Sequence, residues 1–251
     1  MSMDAFWRVY SSLPRAGPGS DATTLEALRR LQPWLPASPR VLDLGCGPGR
    51  QTLALARALG SPITAVDINA SFLQRLEAEA AAQGIRHLVN TRCADFGALE
   101  EPPGQADLLW SEGAIYNLGW AEGLRRWRPL LKPGGVMAIT EATWLTDSPP
   151  AEIAGFWHEV YPAMGTVASN MELARQAGLG VIDTLPLSAS DWWEGYFEPL
   201  QERVAFLREQ AREDWVLAAV LDDAEREIAL YAHHGSTYGY VFYLLSVPGP
   251  T

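Results

Sequence analysis

The stretch VLDLGCGPGR, residues 41–50, places Gly45, Gly47 and Gly49 between a short apolar run and a helix-forming segment. Glycines at such a crossover permit positive φ and let a ligand lie against bare backbone. The helix start beyond them presents N–H groups suited to a carboxylate or phosphate. A tight strand-to-helix turn would use the same glycines, so the triplet alone decides little. Asp67 supplies a second feature. It closes PITAVD roughly 20 residues further on, where a carboxylate at a strand end can accept both hydroxyls of a ribose. An acid there often caps the next helix, but Asn69 already fills that role. Together the two features point to a cofactor carrying a nucleoside.

NAD and S-adenosylmethionine both suit this arrangement. The dinucleotide fingerprint is spaced G-x-G-x-x-G, whereas this loop runs G-C-G-P-G and an acid, Asp43, precedes it within the strand. These residues resemble the first motif of the class I S-adenosylmethionine-dependent methyltransferases, V-L-D-x-G-C-G-x-G. Further family landmarks follow in order. CADF places Asp95 where the resemblance implies an acid accepting from the adenine amino group, with Phe96 beside the ring. Cys46, Ile68 and Ser111 are expected in the same crevice. ADLLWSEGAIYNLG resembles the fourth strand and its loop, and LLKPGGVMAIT the turn into the fifth, with Pro133, Gly134 and Gly135 as the turn.

The likeness covers residues 40–145. It implies an α/β, Rossmann-like fold: a seven-stranded, mostly parallel sheet whose last strand is antiparallel, helices on both faces, and a helical elaboration over the active site. GVIDTLPL and YGYVFYLLSV would be strands six and seven. A second likeness, carried by RAGPGS, WSEGAIYN, EATW and YGYVFYL, is to a group of bacterial small-molecule methyltransferases. The implied cofactor is S-adenosyl-L-methionine, leaving as S-adenosyl-L-homocysteine. The implied partner is a small-molecule acceptor methylated on O, N or S.

Methyl transfer from a sulfonium is an in-line displacement, helped mainly by holding donor and nucleophile at near-attack distance. A general base is needed only for an acceptor protonated at neutral pH. The catalytic candidates are Glu112 and Tyr116 after strand four, Glu141 ending strand five, and His158 in AEIAGFWHEVYP. Glu112 could instead cap a helix, Tyr116 could simply pack, and His158 could face solvent. Glu141 needs a reason, since burying a lone charge is costly. Arg15 in RAGPGS could pair with the cofactor's carboxylate while the aromatic N-terminal segment folds over as a lid; the alternative is a surface arginine. Of the 10 tryptophans, Trp144, Trp157, Trp192 and Trp193 gather near the substrate side, as a pocket wall or as a compact aromatic core.

The elements that hold these residues follow from hydrophobic periodicity. RVLDLG, PITAV, RHLVNT, ADLLW and GVMAIT read as strands, alternating with amphipathic stretches such as RQTLALARAL. That alternation indicates parallel pairing through right-handed crossovers. A helix with Leu25, Leu28 and Leu31 on one face is capped by Asp21 or Thr23. Past Asp147 come a Pro149–Pro150 break, two charged helical stretches near 200–212 and 214–232, and the β-rich end. The 251 residues read as a single domain: 1–38 as N-terminal lid and helix, 39–145 as cofactor core, and 146–251 as substrate-side elaboration with the last two strands.

Composition narrows the partners. With 19 basic residues against 30 acidic ones, a net charge of −11 disfavours nucleic acid, whose binders neutralise phosphates. Arg125, Arg126 and Arg128 read as a solvated helix face. Cys46 and Cys93 have no metal-ligand spacing, so no metal is expected. No stretch approaches a membrane span, no secretory leader is evident, and a cytoplasmic location follows. The aromatic closing strand could sit at a homodimer contact. Three other functions compete: a non-catalytic S-adenosylmethionine-binding module, an NAD(P)-dependent dehydrogenase, and a nucleic-acid methyltransferase. WSEGAIYN lacks the Asn/Asp-Pro-Pro-aromatic motif of the last.

Overall fold

The structure, a computed structural model, describes residues 3–99 and 102–249. In chain order the elements are α1 (Met3–Tyr10), α2 (Asp21–Leu31), β1 (Val41–Leu44), α3 (Arg50–Leu59), β2 (Ile63–Asp67), α4 (Ala70–Ala82), β3 (Val89–Cys93) and β4 (Ala106–Ser111). They continue with α5 (Trp120–Trp127), β5 (Leu131–Trp144), α6 (Ala151–Val160), β6 (Gly165–Thr166), α7 (Val167–Gln176) and β7 (Gly180–Pro186). The chain closes with α8 (Ala189–Trp192), a π-helical turn (Trp193–Phe197), α9 (Glu198–Arg208), α10 (Trp215–His234) and β8 (Tyr238–Ser246).

The strands form one sheet in the order β3-β2-β1-β4-β5-β8-β7, with the two-residue β6 pairing β5 off that path. Only β8 runs antiparallel, to both β5 and β7. The seven expected strands are therefore present, and β6 is an addition too short to leave a hydrophobic period. Central strands are buried on both sides: Val136–Ile139 of β5 and Val241–Leu245 of β8 are at most 1% exposed. Such continuous apolar runs are what a sheet covered on both faces requires. One core packs α1, α2, α3, α9 and α10 on one face; the other packs α5 and α7 on the opposite face.

Local signals fix the ends. The cap of α2 is Ser20, whose Oγ accepts from Thr23 N at 3.1 Å, not Asp21 or Thr23. Asn69 caps α4 as expected, through Ser71 N. The Pro133–Gly135 turn lies where β5 jumps register, Leu131 pairing Ala106 and Val136 pairing Leu108. β8, expected as a dimer contact, lies between β5 and β7 inside the sheet, so neither of its edges is free. Arg125 and Arg126 both pair with Glu122 on α5, as a solvated face would.

Chain order reverses between β1 and β4: β2 and β3 lie to one side of β1, and β4 lies on the other. Crevices at such a reversal, beyond the carboxyl ends of the strands, are where open α/β sheets hold ligands.

Candidate active site

At that reversal the backbone turns from β1 into α3 through Gly45, Gly47 and Gly49, with φ of 71°, 54° and 83°. A Cβ on Gly45 would stand 2.4 Å from Ala114 Cβ, so the loop after β1 and the loop after β4 close on each other only because side-chain bulk is absent. No side chain caps α3; its N-cap is Gly49. The helix start is thus left to backbone and ligand.

Asp67 points back to this loop. One oxygen accepts from Gly47 N and the other from Asn69 N, each at 2.8 Å. A cavity of about 530 Å³ opens beside it, within the usual size of small-molecule sites. Gly45, Cys46 and Gly47 wall it after β1, Asp67 and Ile68 after β2, Asp95 and Phe96 after β3, and Glu112 to Asn117 after β4. Ile68, although apolar, is 67% exposed because it faces this space. The far wall is α1, through Met3, Phe6, Trp7 and Tyr10. Trp7 meets Phe72 of α4 edge-on at 5.5 Å, and Arg8 Nη1 pairs with Asp214 at 2.7 Å, so α1 bridges the cavity between α4 and the N-terminus of α10.

The segment after α1 enters the site through Arg15. Its Nη1 donates to Glu112 Oε2 at 3.0 Å and its Nη2 to Asp21 at 2.9 Å. Glu112 Oε1 also accepts from Thr24 Oγ1 at 2.7 Å and Trp110 Nε1 at 2.8 Å.

Residues 41–135 match the model of a methyltransferase domain. Over 109 residues, 42% of this chain and 39% of the relative, the sequence is 39% identical to a trans-aconitate 2-methyltransferase of Paracidovorax citrulli. The chain is similar to S-adenosylmethionine-dependent methyltransferases over this stretch. It spans about half the length or less of several of the curated relatives it matches. An S-adenosylmethionine-dependent methyltransferase of Geobacter sulfurreducens, solved with S-adenosyl-L-homocysteine, shares the fold at a TM-score of 0.82 and 21% identity, over 97% of this chain and 98% of that one. The [4+2]-cyclase SpnF also shares it, at a TM-score of 0.73 and 21% identity, over 92% of this chain and 81% of that one. The fold by itself therefore carries no reaction.

Within this site the expected residues separate into wall and support. Arg15, Gly45, Cys46, Gly47, Asp67, Ile68, Asp95, Phe96, Glu112 and Tyr116 line the cavity. Asp43, Gly49 and Ser111 stand outside that lining. Asp43 is fully buried, accepting from Thr52 Oγ1 at 2.5 Å, and burial pushes its carboxyl up to about 7. It braces Gln51, a lining residue whose Nε2 also donates to Cys46 O at 2.9 Å. Ser111 Oγ donates to Leu44 O at 2.8 Å, tying β4 to β1. Gly49 instead makes room for Leu76.

The catalytic candidates divide similarly. His158 is exposed on α6; Ile153 and Trp157 hold that helix's inner face, and the next residue turns outward. Glu112 is engaged by three side-chain donors, a poor state for a base. Tyr116 is 45% exposed and faces the cavity. Glu141 is 2% exposed, its Oε2 has no hydrogen-bond partner, and burial pushes its carboxyl up to about 8 against the opposing influence of Tyr161. The tryptophans form a packed cluster, with Trp192 stacked on Tyr231 at 4.4 Å and Trp157 against Tyr238 at 5.2 Å.

Glu227 of α10 escaped sequence reading. It lies one turn from Ala224 and Tyr231, both buried, and burial pushes its carboxyl up to about 7. The signal was present: an acid in phase with the apolar face of an amphipathic helix.

Proposed function

We propose that the chain transfers a methyl group from S-adenosylmethionine to an O, N or S atom of a small molecule. The supporting observation is the crevice at the β1/β4 reversal, where bare glycine backbone, the Asp67 carboxylate and the Asp95–Phe96 pair face one cavity. Asp67 would exchange its backbone donors for the ribose hydroxyls. Asp95 would accept from the adenine amino group, with Ile68 and Phe96 on the two sides of the ring. Arg15 holds guanidinium N–H groups at the cavity wall for the methionine carboxylate. The bound cofactor supplies an electrophilic methyl on a sulfonium.

The chain's own contribution is position and dryness. α1 closes over the cofactor as a lid, residues 39–145 form the cofactor core, and the segment beyond 146 builds the acceptor side of one domain. Tyr116 would align the acceptor, and Glu141 would take up a proton where the acceptor carries one. Glu112 acts as a strut holding Arg15 rather than as a base, and Asp43, Gly49 and Ser111 position the loop from behind. The net charge of −11 supports a small molecule over nucleic acid. No helix among the described residues is long and apolar enough to cross a membrane. Cys46 and Cys93 are free thiols, in keeping with a reducing compartment such as the cytoplasm.

Incubation of the protein with a metabolite extract and isotopically labelled S-adenosylmethionine tests this reading. Label should appear in an extract component. Cofactor binding without any labelled product would leave the non-catalytic module in its place.

A further inference from the structure

Helix α1 carries two apolar stripes. Ala5 and Val9, at 4% and 0% exposure, join the core that α9 and α10 share. Met3, Phe6, Trp7 and Tyr10 recur at helical spacing on another side, and all of them line the cavity beside the glycine loop. Protein covers this second stripe only in part: Met3 is 61% exposed, and the three rings are half-buried.

The rings of the stripe lean on one another and on α4. Phe6 stacks on Tyr10 with 4.5 Å between centroids, and Trp7 meets Phe72, also on the lining, edge-on at 5.5 Å. From the loop after β4, Tyr116 adds another ring to the lining, held edge-on by Tyr161 at 6.2 Å. Stacking takes up one face of Phe6 and one of Tyr10. Rims and single faces remain, the surfaces that pair edge-to-face or offset with a further ring.

The charged groups on the lining are all engaged. Among the described residues they are Arg15, Asp67, Asp95 and Glu112. Arg15 pairs with Glu112 and Asp21, and Glu112 also accepts from Thr24 and Trp110. Asp67 accepts from Gly47 N and Asn69 N, and Asp95 from Gly97 N at 2.7 Å. In the reading above, Arg15, Asp67 and Asp95 go to the cofactor. An acceptor is left with rings, the Met3 thioether and the Asn117 amide. A carboxylate or phosphate would shed water with no free cation to replace it, and an ammonium would find no free acid.

We propose that the methyl acceptor is an uncharged aromatic molecule, its ring packed against Phe6 and Tyr10 of α1 and its reacting atom beside Tyr116. This rests on the methyltransferase reading above and names its substrate class. The lone pair of the reacting atom forms the new bond to carbon as the S–C bond breaks. The S–C electron pair stays on sulfur, and the acceptor's proton goes to solvent.

The test follows labelled methyl from S-adenosylmethionine into phenol, naphthol and aniline. Para-hydroxybenzoate, tyramine and cyclohexanol serve as the anionic, cationic and saturated counterparts. Binding of S-adenosylhomocysteine is measured in parallel by calorimetry. The expected result is label in the uncharged aromatic probes, with kcat/KM at least tenfold above every counterpart. Phe6→Ala raises the KM of the best probe at least fivefold with kcat changed less than threefold, and Phe6→Tyr recovers most of the loss. Affinity for S-adenosylhomocysteine stays within twofold in both variants. Preference for a charged or saturated probe, a KM indifferent to Phe6→Ala, or a fall in S-adenosylhomocysteine affinity in that variant overturns the aromatic assignment and leaves methyl transfer standing. Label in no probe while a metabolite extract is labelled does the same. Label in neither, with S-adenosylhomocysteine bound, removes both.

Discussion

Arg15 Nη1 sits 3.0 Å from Glu112 Oε2, and each side chain is only 7% exposed. This buried pair joins the loop after α1 to the loop after β4, across 97 residues of sequence. Removing one partner of a buried ion pair typically costs about 3–5 kcal/mol, because the other charge stays buried alone. Arg15→Ala should lower stability on that scale in urea unfolding and weaken S-adenosylhomocysteine binding at least tenfold. Unchanged affinity in the folded variant would remove Arg15 from the cofactor site and leave it a strut.

Asp67 spends both oxygens on backbone donors, Gly47 N and Asn69 N. Asp67→Ala should raise the S-adenosylhomocysteine dissociation constant ~100-fold, about 2.8 kcal/mol at about 1.4 kcal/mol per decade. Adenosine, which keeps the ribose, should lose affinity in the same proportion, whereas adenine should not. Equal losses for adenine and adenosine would place the carboxylate elsewhere than on the ribose.

Glu141 links pH to stability. Its carboxyl is raised by burial from 4.5 to about 8, so between those values the folded chain keeps a proton that the unfolded chain has lost. Stability from this group is intact below pH 4.5 and falls as pH rises through the window. Glu141→Gln has no such loss. The difference in melting temperature, variant minus parent, should therefore grow from pH 4.5 to pH 8. A difference flat with pH would mean that Glu141 ionises normally in the folded state.

His158 should be dispensable. Exposed on α6, it touches no wall of the cavity. His158→Ala should keep kcat and KM within about twofold of the parent, and a hundredfold fall in kcat would restore it as the base.

The cofactor half of the site was legible because it is local. Gly45, Gly47 and Asp67 act through backbone conformation and strand ends, which periodicity and turn chemistry expose directly. Asp43 and Ser111 share those motifs, yet their side chains turn into the sheet: motif spacing identifies the loop but not which way each strand residue points. The acceptor half was less legible, since it is assembled from distant elements. Tyr10 and Tyr116 share one cavity only after α1 folds over the sheet. Ser20 as the cap of α2 was missed because Asp21 and Thr23 are equally good cap types and only backbone geometry separates them. Strand β6, at two residues, carries no period at all.

The central claim is that the crevice between β1 and β4 grips an adenosine bearing a sulfonium. Calorimetric titration of the protein with S-adenosylmethionine, S-adenosylhomocysteine and NAD measures it directly. The first two should bind at one site per chain with micromolar affinity, and NAD at least a hundredfold more weakly. NAD binding as tightly as either sulfur nucleoside, or no heat from any of the three, would contradict it.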